Sequence, residues 1–182
     1  MSLTDQKIDL PIPEDDGACD HLVGKQLPDI ELETTQGESI NFSSIKGYLV
    51  IYVYPMTGRP DVALPEGWAQ IPGAMGCTPQ SCSFRDNYAA LKKLNSIVFG
   101  LSTQTTSYQK EAAERLQLPF PLVSDFELNF IQSLSLPTME SGANTLGKRV
   151  TLITFDGVIK KVFYPVFPPA ENAVEVIAYL NS

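Results

Sequence analysis

Gly76-Cys77-Thr78-Pro79-Gln80-Ser81-Cys82-Ser83-Phe84-Arg85-Asp86 places two cysteines five positions apart at a loop-to-helix junction. Thr78 carries a hydroxyl able to cap a first turn, and Pro79 suits a first-turn position where no N–H is needed, so a helix is expected to start here. Phe84, Tyr88, Leu91 and Leu94 follow at spacings of four, three and three, one apolar face of an amphipathic helix running to about Asn95. Cys77 then sits at the positive end of that helix, where unpaired N–H groups and the macrodipole favour an anion over a neutral thiol. Residues five apart in a continuous helix are separated by roughly 8 Å, whereas a disulfide bridges Cα atoms no more than about 7 Å apart. A Cys77–Cys82 bond therefore requires the first turn to unwind, and the pair reads as a switch between a reduced helical state and an oxidised, locally melted one. The plainer reading is two buried small hydrophobes. Position at a helix start argues against it for Cys77 and less so for Cys82.

Gly-Cys-Thr-x-x-x-Cys-x-Phe-Arg-Asp resembles the active-site segment of peroxiredoxins, specifically the atypical two-cysteine kind related to bacterioferritin comigratory protein. The resemblance runs from about Leu27 to the C-terminus. It implies an α/β, thioredoxin-like fold with a mixed central sheet and flanking helices. It also implies a thiol-dependent peroxidase in which Cys77 is oxidised by hydrogen peroxide or an organic hydroperoxide and Cys82 resolves the sulfenic acid. A thioredoxin-type dithiol protein would be the reductant, and no metal or organic cofactor would be needed.

Upstream, Tyr48-Leu49-Val50-Ile51-Tyr52-Val53-Tyr54 is a nearly unbroken apolar run, the pattern of a central strand covered on both faces. It stops at Pro55, and active-site groups are expected to hang from its C-terminal end. Here the chain departs from the family. Peroxiredoxins carry Pro-x₃-Thr-x₂-Cys directly after this strand, but Pro55 stands 22 positions before Cys77 and Ala74 occupies the hydroxyl position. Met56 to Gly73 is an insertion rich in Pro and Gly. Thr57, just past the strand end, is expected either to supply the missing hydroxyl by a fold-back of the insertion or to make only a local turn bond. Trp68, the single tryptophan, is expected to anchor that loop on the core rather than to rim a substrate mouth.

Downstream, Ile97 to Ser102 reads as a second buried strand, Ser107 to Leu116 as a helix, and Leu118 to Asp125 as a short strand entering a helix over about 127–134. Thr138 to Lys148 reads as a polar loop. Asp156-Gly157 between two β-rich runs is the strongest hairpin signal, and a last helix covers about 170–180. Arg149 opens the first strand of that hairpin, where peroxiredoxins carry their catalytic arginine. Its permanent charge would stabilise a thiolate beside it and orient peroxide oxygens, whereas the alternative is a surface arginine paired with a carboxylate. Arg85 fits an ion pair with an acidic neighbour.

A chain of 182 residues with ordinary apolar content buries a core without staples, as one domain over residues 25–182 behind an N-terminal arm over residues 1–24. Three cysteines suit a reducing compartment, and the opening residues carry no secretory pattern, so the chain is expected in the cytoplasm. A net charge of −8 argues against nucleic acid or an anionic membrane as partner, and the assembly is expected to be a monomer or homodimer. Cys19-Asp20-His21 in the arm invites a zinc reading, but one His and three Cys could close a tetrahedral site only by enlisting Cys77 and Cys82. A cysteine hydrolase would have His21 as its only histidine base. Two further classes fit the motif: a thiol–disulfide oxidoreductase without peroxidase activity, and a redox-switched binding protein whose partner surface is Trp68 and the proline-rich loop.

Overall fold

The computed structural model describes residues 9–182. Its centre is β3 (Tyr48–Val53), the apolar run singled out above, and the strand's two-residue period explains the architecture. Leu49, Ile51 and Val53 point into one apolar cluster while Val50, Tyr52 and Tyr54 point into the other, so the strand is covered on both faces. Parallel to it runs β4 (Ser96–Ser102), and parallel to that β5 (Leu122–Ser124). Antiparallel strands complete the sheet: β1 (Glu31–Thr34) and β2 (Ser39–Asn41) at one edge, β8 (Val150–Phe155) and β9 (Val158–Phe163) at the other. The order β2-β1-β5-β4-β3-β8-β9 is a seven-stranded mixed sheet of the thioredoxin-like kind.

Helices α1 (Cys77–Asp86), α2 (Tyr88–Lys93), α3 (Thr106–Arg115) and α5 (Asn172–Leu180) contribute Phe84, Leu91, Ala112 and Val176 to the Tyr52 face. Helix α4 (Asn129–Ser133) covers the opposite face with Phe130 and Ile131. On that face Cys19 and Leu22 are also buried, and Gly24 donates to the Ile159 carbonyl at 2.8 Å, which pins residues 19–24 against the sheet. The β8–β9 turn has Asp156 at φ 48° and Gly157 at φ 79°, the two positive values a type I′ turn requires.

Three features differ from the sequence expectation. The helix expected to run on to Asn95 breaks at Asn87, whose side-chain amide donates to the Ser83 carbonyl at 2.8 Å; this local bond competes with continuation of the helix. The cap is Gly76 rather than Thr78, because Cys77 is itself the first helical residue. Gly76 has φ 110°, and a Cβ there would lie 2.6 Å from Pro169 Cγ, so backbone conformation and close approach both require glycine. The polar stretch 138–148 is a second hairpin, β6 (Thr138–Ser141) with β7 (Asn144–Gly147), turning at Gly142 and standing apart from the main sheet. Trp68 is buried beneath it with Ala74 and Leu146, which anchors the 56–73 insertion. No helix among the described residues is long and apolar enough to cross a membrane.

Candidate active site around Cys77

Cys77 is the first residue of α1 and only 3% exposed. The first N–H to enter the helical ladder is that of Gln80, donating to the Gly76 carbonyl at 3.0 Å. The Cys77 and Thr78 N–H groups therefore have no intrahelical acceptor, and Pro79 has no N–H to lose. This backbone favours negative charge at the helix start. The inner face of α1 is fixed by Tyr52, whose ring stacks on Phe84 at 4.5 Å and 7° and whose hydroxyl lies 3.0 Å from Ser81 Oγ. Tyr52 needs Gly100 beneath it, since a Cβ at Gly100 would meet the Tyr52 ring at 2.6 Å. Burial pushes the Tyr52 and Tyr54 phenols up, so both stay neutral beside the thiol.

Arg149 arrives from the residue before β8, is 4% exposed, and donates through Nη2 to Cys77 Sγ at 3.2 Å. The same nitrogen faces the carbonyls of Gly73, Ala74 and Met75 at 3.2, 3.3 and 3.2 Å, the last turn of the insertion before the helix. Nη1 donates to Gln80 Oε1, Gln80 Nε2 donates to Asn172 Oδ1 at 3.1 Å, and Thr151 donates to that same oxygen at 2.7 Å. This chain of buried groups sets the plane of the guanidinium. No carboxylate among the described residues forms a salt bridge with it. A buried guanidinium with only neutral acceptors is costly to hold, and besides Gln80 the side chain at hydrogen-bond distance from it is Cys77. A cavity of about 90 Å³ lined by Gly73, Lys148 and Tyr164 also borders Arg149, whose Nε is buried without a partner.

The sequence-predicted residues divide. Cys77 and Arg149 meet. Cys82 lies half-buried one and a half turns along α1, and both cysteines are free, so their separation is that of a helix. Thr57 is fully buried at the end of β3, and its hydrogen bonds run to Gln104: its N–H at 3.2 Å and its hydroxyl at 3.4 Å to Oε1, with its carbonyl accepting from Nε2 at 3.3 Å. Arg85 pairs with Asp86 at 2.9 Å and donates to the Leu116 carbonyl at 2.8 Å, a structural role. Cys19 is buried beside Asp15, Asp16 and Asp20, and desolvation pushes its thiol up to about 12. His21 Nε2 lies 2.8 Å from the Leu134 carbonyl. Among the described residues no three His, Cys, Asp or Glu side chains cluster as a metal would require. Gln80, Asn172 and Thr151 were not singled out from the sequence. Gln80 lies three residues after Cys77 on the same helix face, which is a usable signal, whereas nothing local marks Asn172.

A thioredoxin-like sheet with a buried cysteine at a helix start, faced by a buried arginine that has no carboxylate partner among the described residues, fits a redoxin. The chain belongs to that family: the redoxin profile matches residues 22–177. Within it, the likeness is to the Bcp and Q peroxiredoxins. Peroxiredoxin Q, chloroplastic, of Suaeda salsa is 28% identical over 160 residues, covering 87% of this chain and 67% of that protein. Peroxiredoxin Bcp of Bacillus subtilis is 31% identical over 106 residues, 58% of each chain. In fold, the crystal structure of peroxidoxin BcpB from Mycobacterium tuberculosis superposes with a TM-score of 0.72 at 22% identity, covering 88% of this chain and 97% of that one. The chain spans about two thirds of the length of the first plant relatives, whose names place those proteins in chloroplasts.

Proposed function

We propose that this protein is a thiol-dependent peroxidase that reduces hydrogen peroxide or organic hydroperoxides through Cys77. The observation that carries this reading is the 3.2 Å contact between Arg149 Nη2 and Cys77 Sγ in a pocket without a competing carboxylate. The Cys77 thiolate attacks one peroxide oxygen: an S–O bond forms, the O–O bond breaks, and the departing oxygen takes a proton and leaves as water or alcohol. Arg149 and the free N–H groups at the start of α1 stabilise the charge that develops on the oxygens. The first turns of α1 then unwind and the Cys82 sulfur displaces the sulfenic oxygen as water, forming the Cys77–Cys82 disulfide. A thioredoxin-type dithiol restores both thiols by exchange and is itself oxidised. In this scheme Thr57 supplies a hydroxyl to the peroxide once Gln104 releases it, residues 1–24, of which 1–8 lie outside the described residues, precede the domain over residues 25–182 as an arm, and the protein works as a monomer or homodimer in a reducing, cytoplasmic compartment.

The test follows NADPH oxidation with thioredoxin and thioredoxin reductase for wild type, Cys77→Ser and Cys82→Ser. Wild type turns over, Cys77→Ser does not, and Cys82→Ser is oxidised once per chain but stalls in the steady state. Unchanged steady-state turnover in Cys82→Ser removes it as the resolving group. One observation favours a second reading, a thiol–disulfide oxidoreductase without peroxide chemistry: the Thr57 hydroxyl is bonded to Gln104 rather than to the sulfur. Insulin reduction without peroxide consumption identifies that case.

A further inference from the structure

A cavity of about 560 Å³, lined by neither Cys77 nor Arg149, falls within the roughly 300–1,000 Å³ range of small-ligand sites. One wall is the inserted segment, with Met56 and Leu64; the others are Thr103 and Gln104 after β4, Phe126 after β5, and Leu146 of β7. It therefore opens at the carboxyl ends of the three parallel strands, where open α/β sheets place their ligands. Val62, Leu64 and Phe126, which line it, are 52%, 44% and 60% exposed, an apolar grouping left open to water. Among the described residues Arg59 is the only charged side chain in the lining, in a chain of net charge −8. Its guanidinium lies over the Tyr108 ring at 5.6 Å, and its ion partner is Asp61 at 3.3 Å. Asp61 is 68% exposed, so that pair holds weakly and yields to a better-placed anion.

We propose that this cavity binds a small amphipathic carboxylate: a medium-length hydrocarbon chain laid between Leu64, Phe126 and Leu146, with its carboxylate on Arg59. Gln104, one of the lining residues, holds Thr57 by three hydrogen bonds, so the ligand stiffens the end of β3 and the insertion together. One wall of the site is built by the residues that separate Pro55 from Cys77, and its occupancy does not depend on peroxide chemistry.

Calorimetric titration of the full chain with decanoate tests this, alongside decanol, Arg59→Gln and Leu64→Asp, with sedimentation of the unliganded protein. Saturable one-to-one decanoate binding is expected, weakened about tenfold in Arg59→Gln through loss of a charged hydrogen bond and abolished in Leu64→Asp. Circular dichroism verifies that both variants fold, so the result stands whether or not peroxide is consumed. Absence of saturable binding overturns the proposal, as does binding that neither variant alters. Decanol binding as tightly as decanoate overturns the carboxylate assignment. A dimer that Leu64→Asp splits into monomers assigns the face to a second copy of the chain instead.

Discussion

Arg149 Nη2 and Cys77 Sγ stand 3.2 Å apart across 72 residues of sequence, and three consecutive backbone carbonyls where the insertion leads into α1, Gly73 to Met75, converge on the same nitrogen. The arginine thus ties the thiol to the loop that delivers it. Arg149→Ala is expected to lower kcat/KM for hydrogen peroxide by about 10²–10³, the effect of losing a preorganised donor at a developing oxyanion. Arg149→Lys is expected to recover little, since an ammonium cannot span Gln80 and the carbonyls at once. Stopped-flow oxidation of Cys77 measures both.

Gln80 is expected to act by holding Arg149. Gln80→Leu strands Arg149 Nη1, leaves Asn172 Oδ1 with Thr151 as its remaining donor, and costs about 1–3 kcal/mol of stability, read from the urea midpoint. Gln80→Glu keeps the shape but adds a carboxylate that takes up the guanidinium charge, so iodoacetamide reactivity of Cys77 at neutral pH falls. A residue that merely packs would change stability in both variants without that loss of reactivity.

At Gly76, Ala is expected to destabilise more than at Gly24. Both have positive φ, 110° and 91°, and share the backbone cost of about 1–3 kcal/mol. Only Gly76 also meets Pro169, at 2.6 Å, whereas nothing lies within 4 Å of a Cβ at Gly24. The difference in melting temperature between the two variants isolates that clash.

Cys19 is expected to resist alkylation in the native protein. With its thiol pushed up to about 12 by burial and by the Asp16, Asp15 and Asp20 charges, about one molecule in ten thousand carries the thiolate at pH 8. That fraction rises tenfold per pH unit below the midpoint. Mass spectrometry after iodoacetamide treatment at pH 8 should find Cys82 labelled and Cys19 unlabelled until denaturant is added.

Much of the frame was legible because its signals are local. The run from Tyr48 to Tyr54 could only be a strand buried on both faces, and Asp156-Gly157 could readily take two positive φ values. The placement of Cys77 at a helix start was legible for the same reason, although the capping position belongs to Gly76. What escaped depends on distant partners or weak patterns. Asn87 breaks the helix through its own side chain while the apolar spacing of Tyr88 and Leu91 continues past it. The β6–β7 hairpin has two short, mainly polar strands in which Met139 and Leu146 are the only large apolar side chains, so little in its sequence marks it as β. Asn172 reaches the site only because α5 packs beside α1, and no local pattern announces a contact 92 residues away.

The interruption at Asn87 bears on how damage is contained. If each catalytic cycle melts the start of α1, the cooperative loss of hydrogen bonds could run down a continuous helix into Leu91 and the packing against β4. Instead the ladder is already cut, with Gly76 at one end and Asn87 at the other, and α2 begins with bonds of its own, Leu91 N–H to the Asn87 carbonyl at 3.1 Å. The ten residues between work as a fuse: a segment that can open and reset many times while the wall behind it stays standing.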